Sequence, residues 1–366
     1  MFLRKKFIFL FLLSISNINA KASNCPKLIT LLHTPGIHFI VNMCTTASSF
    51  GAAGDGVTDD TYALLKAFSS GQNLDLEGKK YLIDLSKPGL ALGLTPNDNT
   101  IIEGNGAEII LKPNNMVGYS MITLINSKNV KIFNLKLIGD VKKHFGSYGE
   151  WGMGFSFLGA KNCELHQVEA NEMWGDGFYL STHGKETNEG GGIFNSSARA
   201  NRRVGLSMSG SKNFTIKDCN ITDTGTIKFT TPAYGIDIEP NPDAYDSING
   251  LKLINIKTEN NLVGGWLFLP RSLQFSTNPN PLFNIYVKNC ISKNDGQDYW
   301  YSSGLRLVES ISKNNYNGIV NIEGFKVINP PLGSIPFRWQ RNDVSSLTVN
   351  ATELEVDGVA QYDYHY

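Results

Sequence analysis

The chain has 366 residues, with 33 Lys and Arg against 33 Asp and Glu, so its formal net charge is zero. With no basic stripe and no long run of like charge, that balance argues against a nucleic-acid partner and against a charged tail. Gly is frequent at 36 residues, Asn, Ser and Thr are abundant, and convincing long helical patterns are almost absent, which suits a β-rich chain with many turns.

At the N-terminus, Arg4, Lys5 and Lys6 precede an apolar run from Phe7 to Leu13, and a polar stretch leads to Ala20-Lys21-Ala22. This is the order of a secretory signal peptide cut after Ala22, and the run is too short to span a bilayer. The expectation is a signal peptide over residues 1–22 and one mature domain over 23–366, secreted or periplasmic, with no stable membrane insertion after cleavage. Cys25 and Cys44 flank a short segment and could pair once exported. Cys163, Cys219 and Cys290 lie in short stretches of strand character, match no zinc spacing, and read as small buried apolar residues.

The next feature is Phe50-Gly-Ala-Ala-Gly-Asp-Gly-Val-Thr-Asp-Asp-Thr61. Gly54-Asp55-Gly56 is a turn that needs positive φ. Thr58 is placed to cap a following helix, with Asp59 and Asp60 at its positive end. Ala63, Leu64, Ala67 and Phe68 give that helix an apolar face, suited to covering the open end of a stacked structure, so a cap is expected over about residues 45–70. A phosphate-binding loop would want a preceding buried strand and a lysine or third glycine, and none is present.

From there the chain repeats itself. Val130-Lys-Ile-Phe-Asn-Leu-Lys-Leu137 recurs as residues 163–170, 214–221, 251–258, 285–292 and 320–327, with a degenerate copy at 193–200. Each half alternates as a strand does, and a polar residue or glycine in the middle predicts a bend. Between the copies falls a glycine followed by apolar, any, apolar: Gly154-Phe-Ser-Phe157, then the same pattern from Gly177, Gly205, Gly235, Gly265 and Gly304. Two phrases that keep their order over many repeats predict one coil of a parallel β-solenoid per repeat. A sandwich of hairpins would explain the alternation but not the order.

Together the Phe50–Thr61 motif and the coils resemble the pectate-lyase-like superfamily, which includes polygalacturonase-like proteins, alginate-modifying enzymes and phage tailspikes. The resemblance implies an all-β, single-stranded right-handed parallel β-helix with a short N-terminal capping helix. It says little about the reaction, because that fold hosts lyases, hydrolases, epimerases and binders.

In a solenoid the interior is filled, so chemistry belongs on an outward face. The positions one and three beyond each glycine are apolar and are assigned inward. The outward positions two and four beyond it include Tyr179, Ser207, Asp237, Glu239 and Arg306, with Arg203 beside them. Asp237 and Glu239, about 7 Å apart along a strand, suit acid/base glycoside cleavage; the rival is a solvated pair salt-bridged to Arg203. The expected catalytic set is Asp237, Glu239, Arg203 and Tyr179. In a lyase, Arg203 or Arg202 would neutralise a uronate while Tyr179 or His183 removed a proton. Asp176, flanked by glycines in Trp174-Gly-Asp-Gly-Phe178, resembles an acid of polygalacturonase-like enzymes. The Asp-Asp pair and the Gly-His-Gly element of those enzymes are missing, so holding a bend is as good a role for it.

Long insertions at 182–192, 226–233, 241–246 and 270–281 border this row, as walls of a groove would. Trp174, Phe229, Tyr234, Tyr245, Trp300 and Tyr301 are candidate sugar-stacking rings. The expected substrate contacts are Asp176, Arg202, Ser207, His183, Trp174, Tyr234 and Arg306. No cofactor is required, although calcium could bridge Asp237, Glu239 and a uronate. The resulting expectation is a polysaccharide partner and cleavage of an acidic, uronate-containing polymer by β-elimination or hydrolysis. The alternatives are a non-catalytic carbohydrate-binding solenoid and a polymer-level uronate epimerase.

Overall fold

A computed structural model describes residues 44–241, 247–296, 304–309, 316–340 and 346–362, with the backbone of 364 and 365. The proposed signal peptide, Cys25, Tyr245, Trp300 and Tyr301 lie outside the described residues.

The chain winds as a right-handed parallel β-helix, the sense that strand twist imposes on parallel crossovers. One sheet contains eight strands: β1 (Gly118–Ile125), β2 (Trp151–Leu158), β3 (Asp176–Ser181), β4 (Val204–Met208), β5 (Tyr234–Ile238), β6 (Gly264–Phe268), β7 (Leu305–Val308) and β8 (Phe337–Gln340). Each pairs in parallel only with its neighbours in that order. The remaining strands form the other faces of each coil.

The two inward rows behave as expected. Phe155, Phe178, Leu206, Ile236, Trp266 and Leu305 form one, and Phe157, Leu180, Met208, Ile238, Phe268 and Leu307 the other; all are buried in one core cluster that runs from Ala47 to Leu354. Strand registers place each residue on its counterpart one coil on, as in Phe155–Phe178–Leu206–Ile236–Trp266–Leu305. The Phe155 and Phe178 rings stack at 5.8 Å between centroids.

The bend inside the other phrase is a left-handed residue. Asn134, Gln167, Asn195, Asp218, Asn255, Asn289 and Gly324 occupy equivalent places with φ of 50, 53, 50, 57, 52, 53 and 67°. Asn, Asp and Gly tolerate that region best, which is why a polar residue or glycine recurs there. Exposed Lys–Glu pairs join coils across this face, as in Lys131–Glu164 at 3.0 Å and Lys326–Glu355 at 2.8 Å.

At the N-terminal end, α1 (Thr61–Phe68) buries Leu64, Ala67 and Phe68. Gly54 and Gly56 have the expected positive φ of 65 and 76°. The cap chemistry differs from expectation. Asp60, not Thr58, is the N-cap residue, and its carboxylate accepts from the Ala53 and Gly54 amides at 2.7 and 3.0 Å. Thr58 instead closes a turn on Asp55, which accepts from its amide and hydroxyl and is held down to a pKa of about 2 chiefly by the Thr58 amide. At the other end, Glu355–Val356 pairs antiparallel with Val359–Ala360, so the chain folds back over the last coil.

Cys44 is disulfide-bonded, while Cys163, Cys219 and Cys290 are free and buried, as their strand positions predicted.

Candidate functional site

The outward row of the eight-stranded sheet runs Thr123, Ser156, Tyr179, Ser207, Asp237, Leu267, Arg306, Arg338, one residue per coil. Tyr179, Ser207 and Asp237 therefore stand side by side, as the glycine alignment placed them. The face is not open, however: Ser207 and Ser181 are buried, and Asp237 is 0 % exposed.

Both Asp237 carboxyl oxygens lack a hydrogen-bond partner among the described residues. Burial, then the neighbouring Glu239, pushes its pKa up to about 8, against the pull of Arg203. The group carries its proton at neutral pH. Glu239 is half-buried and accepts from Ser272 Oγ at 3.2 Å, so the short helix Pro270–Phe275 lies against this end of the pair.

Arg203 does not bridge to Asp237 or Glu239. It donates from Nη1 to Asp176 Oδ2 at 2.7 Å, and its Nε lies 3.6 Å from Glu150 Oε2. The Asp176 carboxylate holds the guanidinium charged, with its pKa raised. Asp176 is itself fully buried, which pushes its pKa up to about 6 despite the arginine. Asp176 thus anchors Arg203 rather than facing a ligand, and Arg203 is already committed to two carboxylates.

The remaining candidates scatter. Trp174 is 1 % exposed, so it offers no face to a sugar. The His144 ring stacks on it at 3.8 Å and the Arg202 guanidinium lies 3.9 Å from its centroid. Arg202 is buried and donates to Gly149 O at 2.6 Å. Tyr234 is buried, with its hydroxyl hydrogen-bonded to Arg306, and Arg306 also donates to Gln340 Oε1 at 2.7 Å. His183 is exposed in a turn closed by Glu186, whose amide donates to His183 O. The stacking role expected of Trp174 and Tyr234 therefore fails because each ring is covered by side chains from other coils. Of the described candidate rings, Phe229 is 39 % exposed.

Sequence reasoning missed Glu150. It stands just before Gly152, which leads the corner row Gly152, Gly175, Arg203 linked by Gly175 N→Gly152 O and Arg203 N→Gly175 O bonds of 2.7 and 3.0 Å. Aligning that row would have found it. Among the described residues no three His, Cys, Asp or Glu side chains converge as a metal cage, and Arg203 supplies the positive charge beside Asp176 and Asp237.

No protein-family model matches the chain. It is 32% identical over 225 residues to the uncharacterized protein YclG of Bacillus subtilis, covering 55% of this chain and 38% of that protein. It is 27% identical over 160 residues to the SPbeta prophage-derived uncharacterized protein YorA of the same organism, covering 39% and 27%. The chain thus spans well under half the length of the curated relatives it matches. Among solved structures it is similar to PfbA, a surface adhesin of Streptococcus pneumoniae, with a TM-score of 0.50 at 14% identity over 86% of this chain and 79% of that one. It is also similar to pre-mature bacteriophage phi29 gene product 12, with a TM-score of 0.50 at 16% identity over 87% and 57%. These likenesses establish the β-helix. No helix of the described residues is long and apolar enough to cross a membrane.

Proposed function

We propose that the chain is an exported polysaccharide-active enzyme that cleaves an acidic polysaccharide lying along the β1–β8 sheet, with hydrolysis favoured over elimination. The observation that carries this is Asp237: a sealed, unpartnered carboxyl with a pKa of about 8 beside Glu239. A carboxyl that keeps its proton at neutral pH, beside a second carboxyl, supplies the acid of a glycosidic pair. Asp237 gives its proton to the glycosidic oxygen as the C–O bond breaks. Glu239 then either takes a proton from the attacking water or itself bonds the anomeric carbon, water completing the product in both cases. Because Asp237 is sealed, this step requires the side chains that cover it to shift and Ser272 to release Glu239. Elimination is the weaker variant because Arg203, the cation meant to neutralise the uronate, is held by Asp176 and Glu150.

The test is a panel of uronate-containing polymers assayed for new reducing ends and for the ultraviolet absorbance of unsaturated products. Wild type is expected to release reducing ends without that absorbance. Asp237→Asn and Glu239→Gln are each expected to lower the rate by about a hundredfold or more. Full activity in both variants would remove the pair from the mechanism. Binding with unchanged polymer length would leave a carbohydrate-binding solenoid instead.

A further inference from the structure

The segment 144–151 reaches the rim of the site and is fixed there by side chains from three later coils. Trp174 Nε1 donates to Tyr148 O at 3.4 Å, Arg202 Nη1 to Gly149 O at 2.6 Å, and Lys228 Nζ to His144 O at 2.8 Å; Arg203 lies 3.6 Å from Glu150. His144 anchors it from below, stacked on Trp174 and hydrogen-bonded through Nδ1 to Asp140 at 2.8 Å. This much anchoring would serve to hold a bare loop still. Yet the side chains it leaves in solvent are large rings: Phe145 is 76 % exposed, Tyr148 73 % and Trp151 55 %. Phe229 joins them, since it follows Lys228 and Phe145 follows His144, the two residues bonded to each other.

Exposing that much aromatic surface has a solvation cost, and several exposed rings on one anchored segment mark a surface made to be covered. Glu150 in the segment is met by Arg203 at 3.6 Å, and the other charges beside the rings include two lysines. Lys143 and Lys228 are exposed and neither is ion-paired among the described residues. The segment meets the candidate site at Arg203, which lies 3.6 Å from Glu150 and bonds Asp176 at 2.7 Å.

We propose that Phe145, Tyr148, Trp151 and Phe229, flanked by Lys143 and Lys228, form a binding subsite for an acidic polysaccharide. The rings take the C–H faces of its sugars and the lysines its carboxylates. This rests on the function proposed above and names where the polymer is held before it reaches Asp237. A preformed, immobile platform suits a stiff polymer, because neither partner loses much freedom on contact.

The test uses the full chain carrying Asp237→Asn, so that polymer is bound without turnover, in affinity electrophoresis through gels containing polyuronate or a neutral glucan. Retardation by polyuronate and not by glucan is expected. Tyr148→Ala and Trp151→Ala should each weaken it about fivefold or more, and Lys143→Gln with Lys228→Gln should make it less salt-sensitive. With Asp237 intact, the same ring variants should raise the KM for long polymer about fivefold or more. Retardation unchanged by the ring substitutions, or no retardation at all, would overturn the subsite. So would a concentration-dependent dimer or trimer that dissociates on Trp151→Ala, since a second copy of the chain would then be the occupant. Retardation by the rings with no reducing ends from wild type would keep the subsite and end the cutting proposal.

Discussion

Asp237 sets the chemistry that pH should reveal. Unfolded, its carboxyl titrates near 3.8; folded, near 8. Between those values the native state holds a proton that the unfolded chain has lost, so stability falls as pH rises from about 4 to about 8 and is level above. Asp176, raised to about 6, adds to the lower part of that window. Asp237→Asn removes the larger contribution. Thermal melts should therefore show the variant more stable than wild type at pH 9, by on the order of a few kcal/mol, with the gap closing toward pH 5. A gap independent of pH would mean that Asp237 is not the titrating group. Activity that depends on a protonated Asp237 should in turn decline above about pH 8. The position of Asp237 was legible in the sequence because an alternating strand leaves only two faces to choose between. Its isolation from water was not, since the residues that cover the row come from other coils and from loops with no periodicity. The partners of Arg203 were hidden for the same reason: Asp176 lies 27 residues before it and Glu150 earlier still.

Single strands here are short, and the bends between them carry much of the specification. Asn289 sits at φ 53° with an exposed side chain, and the next coil uses Gly324 at φ 67° in the same place. Asn289→Gly should therefore be close to neutral, whereas Asn289→Val should cost about 1–2 kcal/mol through its Cβ in the left-handed region. Comparing the two midpoints in denaturant separates backbone conformation from any side-chain loss. Periodicity exposed the strands and the bends because both recur in every coil. The aromatic candidates fared worse, since Trp174 and Tyr234 look alike in sequence to a ring on a groove wall. Only the stacking of His144 and the approach of Arg306 show them to be interior supports.

At the scale of the whole molecule, each coil rests on the one before it, and α1 closes the first. Leu64→Asp puts a charge into that seal, where Leu64 is wholly buried. The expected result is a chain that associates edge to edge during size-exclusion chromatography, because an uncovered coil presents unpaired strands. A monomeric variant of unchanged stability would show that the helix is an ornament rather than a stopper.

The three free cysteines lie in different coils along the axis, and burial raises their thiols to pKa values of about 11 for Cys163 and about 12 for Cys219 and Cys290. In the folded chain they are poor nucleophiles, so an alkylating reagent reaches each only when its own coil opens. The molecule thus carries its own stopwatch. Peptide mapping of a timed alkylation would read the order in which the stack unzips, and a solenoid that frays from one end should label Cys163 and Cys290 at different rates with Cys219 between them.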